Sequence, residues 1–164
     1  MRMVLLASIL CLAACDRGPE PAKSAAPVAA APPSDEAGLE ALVGKYPAES
    51  RIFEDGALAQ DLASLLGPKL NVLKTNTQTS GPLQKEGGVY YLTGNKQHEG
   101  GLNEAYLLVE PAAKAIEVGL RENGALTVYT TPGAKIAKPK DVQTMLANAA
   151  ASGAAERGSA DGRP

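Results

Sequence analysis

Apolar residues change their spacing twice along this chain, dividing it into helical ends and a strand-rich middle. Leu39, Leu42, Val43 and Tyr46 recur at i, i+3, i+4 and i+7. That spacing predicts one face of a helix, capped by Ser34 and Asp35 and stopped by Pro47. Leu58, Leu62, Leu65 and Leu66 predict a second helix after Asp55. It ends at Gly67-Pro68, although Pro68 also suits the start of a short further turn through Leu73. The polar run from Thr75 to Gly81 reads as a turn. From Val89 the pattern becomes that of strands, predicted at Val89–Leu92, Ala105–Val109, Ala115–Leu120 and Leu126–Thr130. Ala105–Val109 is apolar enough to be central. Asn123-Gly124 predicts a tight hairpin, because both residues tolerate positive φ. Pro139 opens a last helix with Val142, Met145, Leu146 and Ala149 facing inward. The expected fold is α+β: an antiparallel β-meander of about four to five strands, packed by N-terminal helices and a C-terminal helix.

The first residues follow another logic. Arg2 precedes an apolar run from Met3 to Ala14, closed by Leu12-Ala13-Ala14-Cys15. The run is too short for the roughly 20 residues that span a bilayer. A charged start, an apolar middle and small residues at a cleavage point describe a secretory signal. With cysteine next, it resembles the lipobox of bacterial lipoproteins, which implies cleavage before Cys15 and lipid on Cys15. The expected location is the bacterial cell envelope, facing the periplasm and anchored to its inner or outer membrane. The predicted layout is a signal peptide (1–14), an Ala/Pro-rich tether (15–34), one domain (35–148) and a disordered tail (149–164). A flexible tether of that length spans about 25 Å.

Both cysteines, Cys11 and Cys15, lie in that leader region. The domain therefore has no thiol for a disulfide or a thiolate metal site. The net charge of −2 and the low aromatic content argue against nucleic acid as partner. A single histidine, with no thiol and no serine elbow, leaves no nucleophile–base pair, so no enzyme activity, metal or cofactor is expected. Tyr90, Tyr91, Tyr106 and Tyr129 read as packing residues in strands. Gly87-Gly88 reads as a turn, and Lys135, Lys138 and Lys140 as a solvated run where the last helix begins.

The connection from Thr93 to Glu104 is long for a hairpin and holds the histidine, His98, with Gly94, Gly100 and Gly101. Long loops on a rigid sheet are where binding residues concentrate. Taken alone, a histidine in such a loop is most simply a solvated side chain. Gly88-Val89-Tyr90-Tyr91-Leu92, followed by Asn95-Lys96-Gln97-His98-Glu99-Gly100-Gly101, an apolar strand and Ile116–Leu120, resembles the Ivy family, inhibitors of vertebrate lysozyme. That family carries a hairpin loop of the form Cys-Lys-Pro-His-Asp-Cys, often followed by glycine. Lys96, His98 and Gly101 match it, and Glu99 replaces aspartate. Asn95 and Gly100 stand at the two cysteines, and Gln97 stands at the proline.

The resemblance implies that His98 enters the active-site cleft of a lysozyme, C-type foremost. The implied binding loop is Asn95, Lys96, Gln97, His98, Glu99, Gly100, Gly101 and Asn103. An imidazole between the two carboxylates of such a cleft donates to one and, when neutral, accepts from the protonated other. A disulfide across so small a loop is worth about 2 kcal/mol in the chain-entropy model. Its absence would weaken binding by up to about 30-fold, less whatever Asn95 or Asn103 recovers by tying the backbone. The alternative is a non-inhibitory envelope module that uses the same loop for another protein or a glycan.

Overall fold

Alternation along the central strands sets the architecture. The computed structural model describes residues 36–160; the predicted signal, lipobox, tether and Ser34–Asp35 cap lie outside the described residues. Strands β3 (Val89–Asn95), β4 (Glu104–Glu110), β5 (Ala115–Glu122) and β6 (Ala125–Thr130) form an antiparallel meander. Two short strands, β1 (Thr79–Ser80) and β2 (Gln84–Glu86), share the free edge of β3 and complete a six-stranded sheet.

Tyr90 and Leu92, Ala105, Leu107 and Val109, and Ile116, Val118 and Leu120 face one side. They pack on Leu39 of α1 (Glu36–Glu40), Leu58, Leu62 and Leu66 of α3 (Gly56–Leu66) and Leu73 of α4 (Leu70–Thr75). The intervening residues Val89, Tyr91, Tyr106, Leu108 and Ala115 face the other side, under Val142, Met145 and Leu146 of α5 (Lys140–Ala160). Ala105–Val109 is buried on both faces, as expected of a central strand. The class is α+β, with the sheet as the middle of three layers.

Tyr106 shows how closely the α5 face is filled. It is fully buried opposite Gly119, where a Cβ would lie 2.0 Å from the Tyr106 ring. Its hydroxyl donates to the buried Glu117 carboxylate at 2.7 Å, and Lys138 Nζ lies 3.0 Å from the same oxygen. Burial foremost, and then Glu117, raises the Tyr106 pKa above its ordinary value. Lys138, read from sequence as solvated, is thus the partner a buried carboxylate needs.

Three local expectations change. The first helix ends at Glu40, because Gly44 takes φ 84° and the backbone there exchanges hydrogen bonds with Leu83. Leu39 and Leu42 stay in the core, while Val43 and Tyr46 are exposed. Pro47 begins the short helix α2 (Pro47–Ser50) rather than ending one, since its missing N–H costs nothing at a first helical position. The stretch read as a polar turn holds the buried residues Asn76 and Thr77 and strand β1. Pro68 does open a further helical segment, through a 3₁₀ turn (Gly67–Lys69) into α4. At the other end α5 runs on from Ala149 to Ala160, through most of the stretch expected as a tail. Alanine favours continuing a helix that is already nucleated.

Candidate functional site

Strand β3 runs to Asn95 and β4 starts at Glu104, so the loop is shorter than the sequence suggested: residues 96–103. Its neck is closed by the Lys96 N–H donating to the Asn103 carbonyl at 2.8 Å. A first turn follows, with the Glu99 N–H on the Lys96 carbonyl at 3.0 Å. His98, in that turn, adopts φ 64°. The Leu102 and Asn103 amides then both donate to the Glu99 carbonyl, with Gly101 at φ 85° between.

Side chains brace this path. Asn95 Nδ2 donates to the Lys96 carbonyl at 2.7 Å. Lys96 Nζ pairs with Glu99 Oε1 at 2.5 Å, and Asn103 Nδ2 donates to Glu99 Oε2. These bonds, that of Lys96 foremost, hold the Glu99 carboxyl below its usual pKa. The Gly101 N–H donates to Glu104 Oε1 at 2.8 Å. The β5–β6 turn lies at the same end of the sheet and is joined to the loop. The Gly124 N–H donates to the Leu102 carbonyl at 2.9 Å, and the Asn123 N–H to Asn103 Oδ1 at 3.0 Å. Arg121, nearly buried, lies 3.5 Å from Glu104 and donates to the Gly124 carbonyl at 2.6 Å. Below it the buried Asn76 carboxamide donates to the Glu104 and Arg121 carbonyls, clamping β4 to β5.

The side chains of the predicted site therefore fall into two groups. Asn95, Lys96, Glu99 and Asn103 are partly buried and engaged within the loop. Gln97, His98 and Gly100 are exposed, and the Gln97 and His98 side chains make no hydrogen bond or ion pair among the described residues. Gly101 supplies the left-handed turn that favours glycine. A shallow cleft of about 330 Å³ separates the loop from α4, lined by Val72, Thr75, Lys96, Glu99, Asn103 and Asn123 among others. No cluster of His, Cys, Asp or Glu side chains suited to a metal ion occurs among the described residues.

A family model, Inhibitor of vertebrate lysozyme (Ivy), matches residues 57–152, more than half of the chain. The chain belongs to the Ivy family. The match begins in α3, takes in the whole sheet with the loop, and ends in α5. No curated protein and no solved structure matches the chain. Ivy is an inhibitor family, so membership suggests a lysozyme inhibitor with lysozyme as partner.

Against the Ivy loop pattern, the two positions that lack cysteine are still neighbours. A Cβ at Gly100 would lie 3.8 Å from Asn95 Cγ. In this chain the loop is closed by polar bonds. Asn95 and Asn103 do tie the backbone, Asn103 through the neighbouring turn. Sequence reasoning missed Arg121 and Asn76, which support the loop from distant parts of the chain. It also missed Leu102, a lone apolar residue in a polar loop, which was a local signal.

Proposed function

We propose that the protein inhibits a C-type lysozyme by inserting the 96–103 loop, His98 foremost, into the catalytic cleft. We further propose that it acts in the periplasm, held to a membrane by lipid on Cys15. The observation that carries the reading is the setting of His98 in a chain of the Ivy family. Its side chain is exposed and unengaged, on a backbone in the left-handed region, within a loop whose Lys96, Glu99 and Asn103 side chains are spent on bracing. Sparsely populated backbone conformations cluster at binding and active sites, which supports a recognition role for His98.

The chemistry follows from the target. A retaining glycosidase holds two carboxyl groups about 5 Å apart, one protonated and one ionised. A neutral imidazole has one donor and one acceptor nitrogen, which matches that pair. A braced loop loses little freedom on binding, which lowers the entropic cost of insertion. The leader supports the location: the lipobox-like Leu12-Ala13-Ala14-Cys15 would place the domain where an incoming lysozyme meets peptidoglycan.

The deciding experiment sets the purified protein against a C-type lysozyme, wild type beside His98→Ala. The wild type is expected to inhibit. His98→Ala is expected to cost about 2–3 kcal/mol of binding, roughly 100-fold, with an unchanged melting midpoint. Full lysozyme activity under a micromolar excess of wild type would sink the proposal. The anchor is tested separately: Cys15→Ser should abolish incorporation of labelled palmitate and move the protein out of the membrane fraction.

A further inference from the structure

Leu102 does not belong to either group of polar loop residues. It is 46 % exposed, and it packs in neither core. Its backbone is nevertheless fixed on both sides. The amide donates to the Glu99 carbonyl at 3.2 Å, and the carbonyl accepts from the Gly124 N–H at 2.9 Å. The side chain lies over the turn, with Cδ2 4.0 Å from where a Cβ on Gly124 would be. The next residues on one side of β6, Leu126 and Val128, are also exposed. These three are among only five large apolar side chains exposed in the described residues. An apolar side chain on a fixed backbone gains from burial without the cost of ordering the loop that carries it.

We infer that Leu102 is a second contact of the inhibitory loop, an apolar anchor that seats against the hydrophobic wall of the lysozyme cleft while His98 meets the carboxylates. The inference rests on the proposed inhibitory reading of the loop. The chemistry of the target fits it, because the general acid of lysozyme lies in a hydrophobic pocket. Polar contacts to that acid and apolar contacts to its surroundings therefore belong to one binding surface. Leu102 then separates a lysozyme partner from one with a wholly polar groove. His98 then carries the larger share of the affinity, and the adjoining apolar contact adds a smaller one through burial.

The test measures inhibition constants for wild type, Leu102→Met, Leu102→Ala and Leu102→Asp against a C-type lysozyme. Melting midpoints and amide NMR spectra are recorded for each. Leu102→Met should stay close to wild type. Leu102→Ala should weaken inhibition about 3- to 10-fold, the share of a leucine's burial left to gain. Leu102→Asp should weaken it more than about tenfold, since a charge would be buried unpaired. Melting midpoints and the amide signals of Glu99 and Asn103 should not move. Leu102→Asp inhibiting as well as wild type would overturn the anchor and leave the loop reading intact. So would weaker inhibition with displaced loop signals, which would make Leu102 a structural residue. A wild type without effect on lysozyme would remove both.

Discussion

The φ of 64° at His98 separates what this residue does for the fold from what it does for a partner. A residue with a Cβ stands there at a cost of about 1 kcal/mol that glycine would avoid, and histidine is among those that tolerate it best. His98→Gly should therefore leave the unfolding free energy unchanged or raise it by up to about 1 kcal/mol in urea titrations, while inhibition is lost. A clear loss of stability would instead make His98 a structural residue. The facing pair Asn95 and Gly100 gives a second prediction. Gly100 is outside the left-handed region, so a cysteine fits its backbone, and the near approach of Asn95 Cγ marks where a sulfur would sit. The double variant Asn95→Cys/Gly100→Cys should close a disulfide, visible as the loss of two hydrogens by mass spectrometry. It should tighten inhibition by up to about 30-fold, an effect that a reductant reverses. An oxidised loop that binds no better would mean that the polar braces already hold it fully.

At the scale of elements, alternation did most of the prediction. Strands β3 to β5 were legible because two buried faces demand apolar residues over Ala105–Val109 of β4 and over Ala115–Leu120 of β5 except Glu117, while the largely exposed β6 was legible from its β-branched and aromatic residues after the Asn123-Gly124 turn. Strands β1 and β2 were not, because Thr79-Ser80 and Gln84-Lys85-Glu86 are short and polar, and exist only by pairing with β3. Helix α1 was overextended because spacing ignores one left-handed glycine, Gly44, and the backbone hydrogen bonds that Gly44 and Lys45 make with Leu83. The close fit across β4 and β5 was invisible in the sequence, yet it gives the clearest stability prediction. Gly119→Ala drives a methyl into the Tyr106 ring, and strand backbone on both sides leaves little room to yield. A loss of about 3 kcal/mol is expected by urea denaturation. Tyr106→Leu in the same chain should recover part of it, a coupling that a double-mutant cycle reads directly.

For the whole molecule, acid sets the limit of the braces. The carboxyls of Glu40, Asp55 and Glu99 are held below their ordinary pKa, chiefly by Lys85, Arg51 and Lys96 in turn. A folded pKa below the unfolded one contributes stability above the unfolded value, lost as pH falls through the folded value. These pairs are exposed or only partly buried, and individually weak. Their contribution should be intact from neutral pH to about pH 5 and decline only below about pH 4. Proton NMR of the Asn103 carboxamide, which reports Glu99, would check this; a midpoint at or above the ordinary glutamate value would contradict it. The candidate site was legible only in part. His98 stood out as the single histidine in a Gly-rich loop, whereas Arg121, Asn76 and Asn123 reach the loop through tertiary pairing that local pattern does not encode. That pairing has a consequence for descent. The polar bonds within residues 96–103 close on one another, on the residues at the loop's foot and on the 123–124 turn, and none of those bonds reaches a side chain of either core. Mutations at the exposed positions 97, 98 and 102 are thus paid in recognition rather than in folding. A lineage can try new targets there one residue at a time, while the sheet beneath is inherited unchanged.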